Sequence, residues 1–506
     1  MNSRNSDGRL AILDLPSIVK LLFDRAHYPL LPGAAGPVGL FMRYLRRKPG
    51  RGLAVIYQVD EAGRGGVRAR ANAPNRTISL TLDEAALEGA HIRFDAAQAQ
   101  QALLEPQPSG VLCLRDIGCS VQAFPADLSL PALATSCDTR KDSLVFHALA
   151  SAAQRQLGDP AWHLNAIVAE PVRYKPGNRC VIRYHLALER PEGRSSTSRS
   201  LTLFGKLYAS AEHARILYEP QQQLYAEQGE DGTGPPVLPC PLGIVEALGL
   251  TLHQAAQSAG GGEDGTAGTG EPLPTGTQVL RPQIVRGQGG QVSEVIIPKA
   301  ALRATAKALA RLHQSRVSPR ANALRSGAKE ALRASARAAI IARYYPAQAD
   351  EVLRLGQQLA ASLEHARPAN YGPGHGGFKP SQLLIDGDQV FIVDFDGFCL
   401  ADPALDIGYF LAYLRPSGLW PQRPGMRQWF EAAAALFMQA YQQALLEHGV
   451  DSSTMNEIRE RSSLYEAALL FKIATRRVHR LNSPRPQELA AMLREISACL
   501  SISHSH

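Results

Sequence analysis

The 506-residue sequence has no apolar run long enough to cross a bilayer, and its first residues lack the basic region, apolar core and cleavage site of a signal peptide. Its 7 cysteines are odd in number, scattered and without a CxxC pair, which favours free thiols over disulfides or a zinc site. A Walker-type Gly-Lys-Ser/Thr loop, a Ser-His-Asp arrangement and a metal-binding His/Cys cluster are also missing. We therefore expect a cytoplasmic globular protein without membrane contact, outside the disulfide-rich, zinc-binding and P-loop classes.

The charge balance is basic, with 54 Lys and Arg against 46 Asp and Glu and a net charge of +8. The Arg residues are spread over the chain, and some follow acids at helical spacing, as in Asp350 with Arg354 and Glu457 with Arg461. Such pairs favour solvated helix faces and an anion-friendly cleft over a nucleic-acid-binding stripe. We therefore expect no nucleic-acid partner.

One stretch concentrates polar residues between apolar strands: Gly374 to Tyr409, GHGGFKPSQLLIDGDQVFIVDFDGFCLADPALDIGY. It predicts a polar loop, a strand at Leu383–Ile385, a tight turn at Gly387 and a second strand at Val390–Val393. A hairpin of this kind brings the loop and the Asp-Phe-Asp after the second strand to the same end. Oxygen ligands and a lysine in such a place are typical of a metal and phosphate site.

These residues resemble the aminoglycoside phosphotransferase and choline kinase family, whose fold is protein-kinase-like. The family pattern is His-Gly-Asp, then Asn or Gln, a short hairpin, an apolar-Asp-aromatic-acid segment and Asp-Pro-x-x-Asp. The matching positions are His375, Gly376, Gln382, Asp394, Phe395, Asp396, Asp402, Pro403 and Asp406. The resemblance implies ATP- and Mg²⁺-dependent phosphorylation of a hydroxyl group on a small molecule, such as a sugar, an amino alcohol or an aminoglycoside-like compound.

The resemblance also implies roles for individual side chains. Asp394 would bind Mg²⁺, with turn capping as the alternative, and Asp396 would share the ion or bond a turn. Gln382 stands where the family places an amide oxygen on the metal, although it could be a simple loop residue. Lys379 would reach the γ-phosphate or remain solvated, and His375 would support the loop rather than act as a base.

One position departs from the family pattern. Gly377 stands where the family carries its catalytic Asp, and glycine has no side chain that could accept the proton of the substrate hydroxyl. A general base contributes about 10² to 10⁴-fold in rate, so its loss need not abolish phosphoryl transfer. A slow kinase, a kinase with a substituted base and a nucleotide-binding pseudokinase with a regulatory or scaffold role all stay open. Because Lys206, Lys379, Gln382 and Asp394 are retained, we lean towards a working small-molecule kinase.

Two upstream segments begin alike. Each has a strand, a Lys-Pro-Gly turn and a second strand, with the turns at Lys48–Gly50 and Lys175–Gly177. In the second segment the next apolar strand contains Lys206, where an unpaired charge would be costly. That placement matches the kinase lysine that holds the α- and β-phosphates. Glu219 is our preferred ion-pair partner for Lys206, with Glu212 as the alternative.

The turn formed by Lys175 and Gly177 would cover the phosphates through backbone amides, or would be a plain hairpin. Periodic apolar residues predict further helices. They fall at Leu10–Phe23, Asp83–Gly89, Ala211–Gln228 with a break near Pro220, Lys299–Gln314, Ala323–Arg343, Gln348–His365, Arg427–Leu446, Asn456–Arg480 and Pro486–Leu500.

We therefore expect an α+β fold with two kinase-like lobes. The small lobe with an antiparallel sheet would span 141–257, a flexible Gly-rich insertion 258–276, and the helical large lobe with the catalytic loop 277–506. Residues 1–140 would form an N-terminal α+β cap that echoes the small lobe without its lysine, as in maltokinase-like proteins. In a pseudokinase, this cap or the Gly-rich insertion would engage a protein partner.

Overall fold

The structure of the protein is a computed structural model. It describes residues 19–20, 24, 38–48, 52–61, 76–83, 110–114, 118–192, 195–230, 234–256, 273–319, 323–368, 370–415, 424–478 and 488–502. Most of the helices expected at Leu10–Phe23 and Asp83–Gly89, and most of the Gly-rich segment 258–276, lie outside these residues.

The chain divides into two compact units. The first consists of the described parts of Met1–Arg215 and Leu242–Leu252. The second consists of the described parts of Ile216–Pro241, His253–Val478 and Arg485–His506.

Two five-stranded sheets lie mainly in the described part of the first unit. Their strands are β1 (Val38–Lys48), β2 (Gly52–Glu61), β3 (Thr77–Leu82), β4 (Val111–Leu114), β5 (Cys119–Ala123), β6 (His163–Lys175), β7 (Arg179–Glu192), β8 (Ser195–Leu207), β9 (Pro241–Val245) and β10 (Leu250–Gln254). The strand orders are β1-β2-β3-β5-β4 and β6-β7-β8-β10-β9, so the two sheets share one topology. In each sheet the first two strands pair antiparallel. In the second sheet they flank the predicted turn at Lys175–Gly177, whereas most of the first predicted turn, at 48–50, lies outside the described residues.

The strands of the second sheet follow the two-residue period of a half-buried strand. In β7, Cys180, Ile182, Tyr184, Leu186 and Leu188 are buried, and the residues between them are more exposed. Helices α1 (Leu133–Ser136) and α2 (Leu144–Leu157) precede this sheet. The buried Tyr184 hydroxyl donates to the Ser136 carbonyl at the end of α1, 2.7 Å away, which joins the sheet to that helix.

The second unit is mainly helical in its described part. Its helices are the greater part of α3 (Ala211–Glu230), then α4 (Gly276–Val279), α5 (Lys299–His313), α6 (Gly327–Tyr344), α7 (Ala349–His365), α8 (Pro403–Leu414), α9 (Met426–Glu447), α10 (Ser452–Val478) and α11 (Leu489–Ile502). Its short strands are β11 (Gln283–Arg286), β12 (Val292–Ile296), β13 (Leu324–Arg325), β14 (Gly372–Gly374), β15 (Leu383–Asp386), β16 (Gln389–Ile392) and β17 (Cys399–Ala401). Antiparallel sheets together with this helical region confirm the predicted α+β class.

Helix α3 corrects one local expectation. It continues through Pro220 instead of breaking there. A proline removes one backbone donor and strains the preceding turn, but the buried side chains of Tyr218, Leu224 and Gln228 keep a helical spacing across it. Packing of this face therefore outweighs the local cost of the proline.

Helix α6 begins later than the predicted Ala323. Leu324 and Arg325 pair in parallel with β17 instead, and Ser326 caps the helix by accepting a hydrogen bond from the Lys329 amide, 3.3 Å away. Gly327 then allows a close approach, because a Cβ atom there would lie 2.2 Å from the Leu363 carbonyl oxygen. The serine cap sets the start of the helix and leaves Arg325 in an extended segment.

The core of the second unit surrounds the segment that the sequence singles out. Ile385 and Ile392 of the hairpin are buried, and Phe410 of α8 stacks on Phe437 of α9 with 4.4 Å between ring centroids. The hairpin and α8 are thus fixed on rigid elements. No helix in the described ranges is both long and apolar enough to span a membrane.

Candidate active site

A small three-stranded sheet supports the polar loop. Its order is β13-β17-β14, and Gly374 in β14 pairs with Cys399 in β17. The loop leaves β14, and the Asp-Phe-Asp segment enters β17, so both emerge from neighbouring strands. Gly376 lies between them with φ +70°, and a Cβ atom on it would lie 2.0 Å from the Gly397 carbonyl oxygen. Only glycine fits this crossing.

The predicted hairpin is confirmed as β15 and β16. Gln382 precedes the first strand and Asp394 follows the second, and the Val393 amide donates to the Gln382 carbonyl at 2.9 Å. The Gln382 side-chain amide donates to Asp394 Oδ2 at 3.1 Å. The structure therefore brings together the two main residues of the predicted metal site.

The backbone of Asp394 is strained. Its φ and ψ are 72° and 52°, which makes it the one non-glycine residue with positive φ among those the structure describes. A side chain in this left-handed region costs on the order of 1 kcal/mol or more, and such residues cluster at functional sites. Asp396 lies two residues further along the chain, half-buried in the single 3₁₀ turn Phe395–Gly397.

Near Asp394, two buried polar atoms lack hydrogen-bond partners within the described part of the chain: Gln382 Oε1 and His375 Nδ1. The His375 Nε2 atom lies 3.1 Å from the Val393 carbonyl, which can only accept, so the proton is on Nε2 and Nδ1 is an acceptor. Burial lowers the pKa of His375, although the carboxylate of Asp406 opposes this shift. The ring is therefore neutral, and both unpartnered atoms are acceptors.

Both acceptors face the position of Gly377. A Cβ atom built on Gly377 would lie 3.9 Å from Gln382 Oε1 and 4.0 Å from His375 Nδ1, and its φ is outside the left-handed region. A larger residue would therefore fit here without a backbone clash.

Asp406 holds the loop in place. Its Oδ2 accepts the His375 amide at 2.6 Å, its Oδ1 accepts the Phe378 amide at 3.4 Å, and His313 Nε2 lies 3.5 Å from Oδ2. Burial acts to raise the pKa of Asp406, but the hydrogen bond from His313 and the nearby positive charges leave this pKa below its usual value. An ionised, fully buried carboxylate thus anchors the loop to the first turn of α8.

Lys379 follows in the same loop. Its ammonium nitrogen lies 5.5 Å from the centre of the Tyr413 ring on α8, in a cation–π contact. One continuous stretch of the second unit therefore contains six of the predicted site residues: His375, Gly377, Lys379, Gln382, Asp394 and Asp396.

The remaining predicted residues lie on other elements. Lys206 is near the end of β8 in the first unit, with its ammonium 5.3 Å from the Tyr208 ring centre, and Glu219 is on α3 in the second unit. Lys175 and Gly177 form a tight turn in the first unit, closed by the Asn178 amide donating to the Lys175 carbonyl at 3.0 Å. The Gly177 amide donates to Asp127 Oδ2 at 2.7 Å, so a carboxylate already takes the donor that a phosphate would need.

Sequence reasoning missed Arg325. From β13 its guanidinium donates to the Gly376 carbonyl, to Glu330 and to the Tyr409 hydroxyl. It thereby braces the residue before Gly377. The signal that could have found it is Ser326, a preferred helix-capping residue, which places Arg325 outside the helix.

The metal-binding potential of the site rests on few carboxylates. In the portions of the chain that the structure describes, no group of three or more His, Cys, Asp and Glu side chains is arranged to hold a metal ion. Any cation here would therefore be bound by one or two carboxylates, the Gln382 amide oxygen, and oxygens from a ligand or water.

The segment Gly374–Tyr409 lies within a region that is similar to a known protein family. Residues 279–460 match the model of the phosphotransferase enzyme family. The match contains the loop, the hairpin and α8, confirms the predicted family, and supports a kinase-like phosphotransferase that acts on small molecules. No curated protein matches the chain.

Several solved structures of kinases are distantly similar. A choline/ethanolamine kinase family protein from Mesorhizobium loti is 14% identical with a TM-score of 0.36, and the match covers 67% of this chain and 88% of that one. Choline kinase from Cryptosporidium parvum Iowa II is 11% identical with a TM-score of 0.38 over 66% and 88% of the two chains. A glucosamine kinase in complex with glucosamine, ADP and inorganic phosphate is 16% identical with a TM-score of 0.37 over 99% of each chain. These similarities are too weak to assign a substrate.

Proposed function

We propose that this protein is a phosphotransferase that uses ATP and Mg²⁺ to phosphorylate a hydroxyl group on a small molecule. The observation that carries the proposal is the buried Gln382 Oε1 atom, which has no partner among the described residues and lies beside the Asp394 carboxylate. A buried acceptor without a donor is costly, and a cation or a donor from a ligand would remove that cost.

The residues present fit a hard divalent cation. Asp394 supplies a carboxylate on a strained, fixed backbone, Gln382 supplies an amide oxygen, and Asp396 is a further candidate. Mg²⁺ commonly binds proteins through one or two carboxylates and completes its shell with phosphate and water. Bound there, the ion supplies charge neutralisation for phosphoryl transfer.

The chain's own cations would position the nucleotide. In this proposal Lys206 holds the α- and β-phosphates with Glu219 as its partner, and Lys379 reaches the γ-phosphate. Lys175 and Gly177 remain candidates for covering the phosphates. Gly177 would first have to release Asp127, which makes it the weakest member of the set.

The reaction forms a bond between the acceptor hydroxyl oxygen and the γ-phosphorus and breaks the bond from that phosphorus to ADP. The hydroxyl proton passes to solvent, because Gly377 cannot accept it. His375 Nδ1 can accept a proton, but its ring is fully buried, so we assign His375 to support of the loop. Phosphoryl transfer depends mainly on positioning and charge, so a slow reaction is expected.

The second candidate function is that of a pseudokinase, and Gly377 is the observation that favours it. Such a protein would bind nucleotide without turnover and act on a protein partner through residues 1–140. For either function we propose a cytoplasmic location. All 7 cysteines are free, which suits a reducing compartment where ATP is abundant.

The metal assignment is tested with two matched variants. Asp394→Asn should lower Mg²⁺-dependent ATP affinity at least tenfold and abolish phosphorylation, detected by mass spectrometry across a panel of hydroxyl compounds. Asp388→Asn in the exposed hairpin turn makes the same chemical change away from the site and should alter neither. Equal ATP affinity in the two variants would remove Asp394 from the metal site.

A further inference from the structure

A group of basic side chains borders the loop that contains Gly377. We call it the basic cluster, and its members are Arg325, Arg333, Arg337, Lys472 and Arg476. They come from β13, α6 and α10. Arg325, Lys472 and Arg476 donate to two tyrosines of α8, and Arg333 and Arg337 lie on the neighbouring α6. All of these elements belong to the second unit.

Two tyrosines on α8 organise the cluster. Tyr409 and Tyr413 are one helical turn apart and so lie on one face, as do Lys472 and Arg476 on α10. The Tyr409 hydroxyl accepts from Arg325 at 2.9 Å and from Lys472 at 3.3 Å. The Tyr413 hydroxyl accepts from Arg476 at 2.9 Å.

The charges of the cluster are not balanced. Within the described part of the chain, Glu330 is the one carboxylate that pairs with any of its five cations. It pairs with Arg325 at 2.6 Å and also with Arg333. Arg337 donates instead to the Ala468 carbonyl at 3.2 Å. Arg337, Lys472 and Arg476 therefore have no carboxylate partner among the described residues.

Part of this excess charge is shielded from water. Burial, together with the nearby charges of Arg476, Arg337 and Arg325, lowers the pKa of Lys472 to about 7, against the opposing effect of Glu330. Arg333 and Arg476 are exposed at the edge, so the cluster is open to a ligand from solvent. An anion bound there would be attracted by several partly desolvated cations at once.

The cluster is physically continuous with the catalytic loop. Arg325 donates to the carbonyl of Gly376, which immediately precedes Gly377. On the loop itself, Lys379 contacts the ring of Tyr413, the same residue that accepts from Arg476. A small molecule with its anionic group on the cluster would therefore have its other end beside the loop.

We propose that the basic cluster binds a carboxylate or phosphate group of the acceptor, so that the enzyme phosphorylates hydroxyl compounds that carry negative charge. Arginine forks bind such groups through paired charge-assisted hydrogen bonds. An amino alcohol or an amino sugar would be repelled by the same cations. This inference rests on the proposed phosphotransferase function and specifies its acceptor.

The test is calorimetry on the full-length chain without nucleotide, titrated separately with D-gluconate, inorganic phosphate, D-glucose and D-glucosamine. Gluconate and phosphate should bind saturably, whereas glucose and glucosamine should not. Tighter binding of gluconate than of phosphate would mark a carboxylate site, and the reverse order a phosphate site. Absence of binding by both anions, or equal binding of glucosamine, would overturn the proposal.

Variants assign any anion binding to the cluster. Lys472→Met and Arg476→Gln should each weaken it at least tenfold, while Lys307→Met on the exposed face of α5 should leave it unchanged. Thermal melting checks that each variant is folded. Unchanged anion affinity in both folded cluster variants would exclude this location.

The pH dependence adds a readout that a merely structural cluster would not show. Anion affinity should fall between pH 6 and pH 8.5 as the Lys472 ammonium, faced by Arg325, Arg337, Arg476, Glu330 and Tyr409, loses its proton. Lys472→Met should flatten this dependence.

ATP affinity, measured separately, distinguishes the two proposals. Loss of ATP binding with anion binding intact would contradict the phosphotransferase, and ATP binding without anion binding would contradict only the acceptor class.

Discussion

Two adjacent glycines of the polar loop, Gly376 and Gly377, have opposite tolerances for a side chain. Gly376 has a left-handed backbone and would place a Cβ atom against the Gly397 carbonyl, whereas a Cβ atom on Gly377 would make only ordinary contacts, at 3.9 Å and beyond, and its φ is ordinary. The loop shape thus requires the first glycine but not the second. The backbone at position 377 therefore does not require glycine, and the missing side chain affects the chemistry of the site.

Gly377→Asp should accordingly leave the fold intact, changing the free energy of unfolding by less than about 1 kcal/mol. It should raise phosphoryl transfer or basal ATP hydrolysis by about 10² to 10⁴-fold, the usual contribution of a general base. Steady-state kinetics and a urea melt measure the two effects. Gly376→Asp is the matched control and should unfold the protein or lower its stability by several kcal/mol. A folded Gly377→Asp protein without any gain would count against a site that lacks only its base.

The hairpin and most helices could be predicted, because their signals are local in sequence. The Asp-Gly turn and flanking apolar runs predict β15 and β16, and apolar periodicity predicts α5, α7, α9, α10 and α11 to within a few residues. The predicted break at Pro220 is wrong, because tertiary packing of α3 outweighs the local effect of a helix-breaking residue. Helix α6 starts after the predicted Ala323, because Ser326 caps its first turn.

The basic cluster could not be predicted in this way. Its members are far apart in sequence, on β13, α6 and α10, and their convergence depends on how closely these elements pack around α8. Gly408 on α8 is central to that packing, since a Cβ atom there would lie 2.5 Å from the Ser462 carbonyl oxygen on α10. The sequence motif predicts the loop, whereas the positive charges around it become apparent only from the folded structure.

Gly408→Ala should therefore force α8 and α10 apart and lower the free energy of unfolding by about 1 to 3 kcal/mol. Gly229→Ala on α3 makes the same change where no atom lies within 4 Å, and should be neutral or stabilising by up to about 1 kcal/mol. Guanidinium melts of both variants measure the contrast. If the two variants had equal stability, close contact between α8 and α10 would not be required.

At the scale of the whole molecule, the two five-stranded sheets have the same strand order. This topology agrees with the shared Lys-Pro-Gly hairpin seen in the sequence. The division into a cap at 1–140, a small lobe at 141–257, an insertion at 258–276 and a large lobe at 277–506 stays a prediction. Lys206, Lys175, Gly177 and Glu219 likewise keep their roles as predictions, because no observed contact tests their affinity for nucleotide.

The central claim is that this chain has a nucleotide site that depends on a divalent metal. Calorimetric titration of the full-length protein with ATP, in Mg²⁺ and again in EDTA, tests it most directly. We predict saturable binding at one site in Mg²⁺ and at least tenfold weaker binding in EDTA. No binding in either condition, or equal affinity in both, would contradict the account.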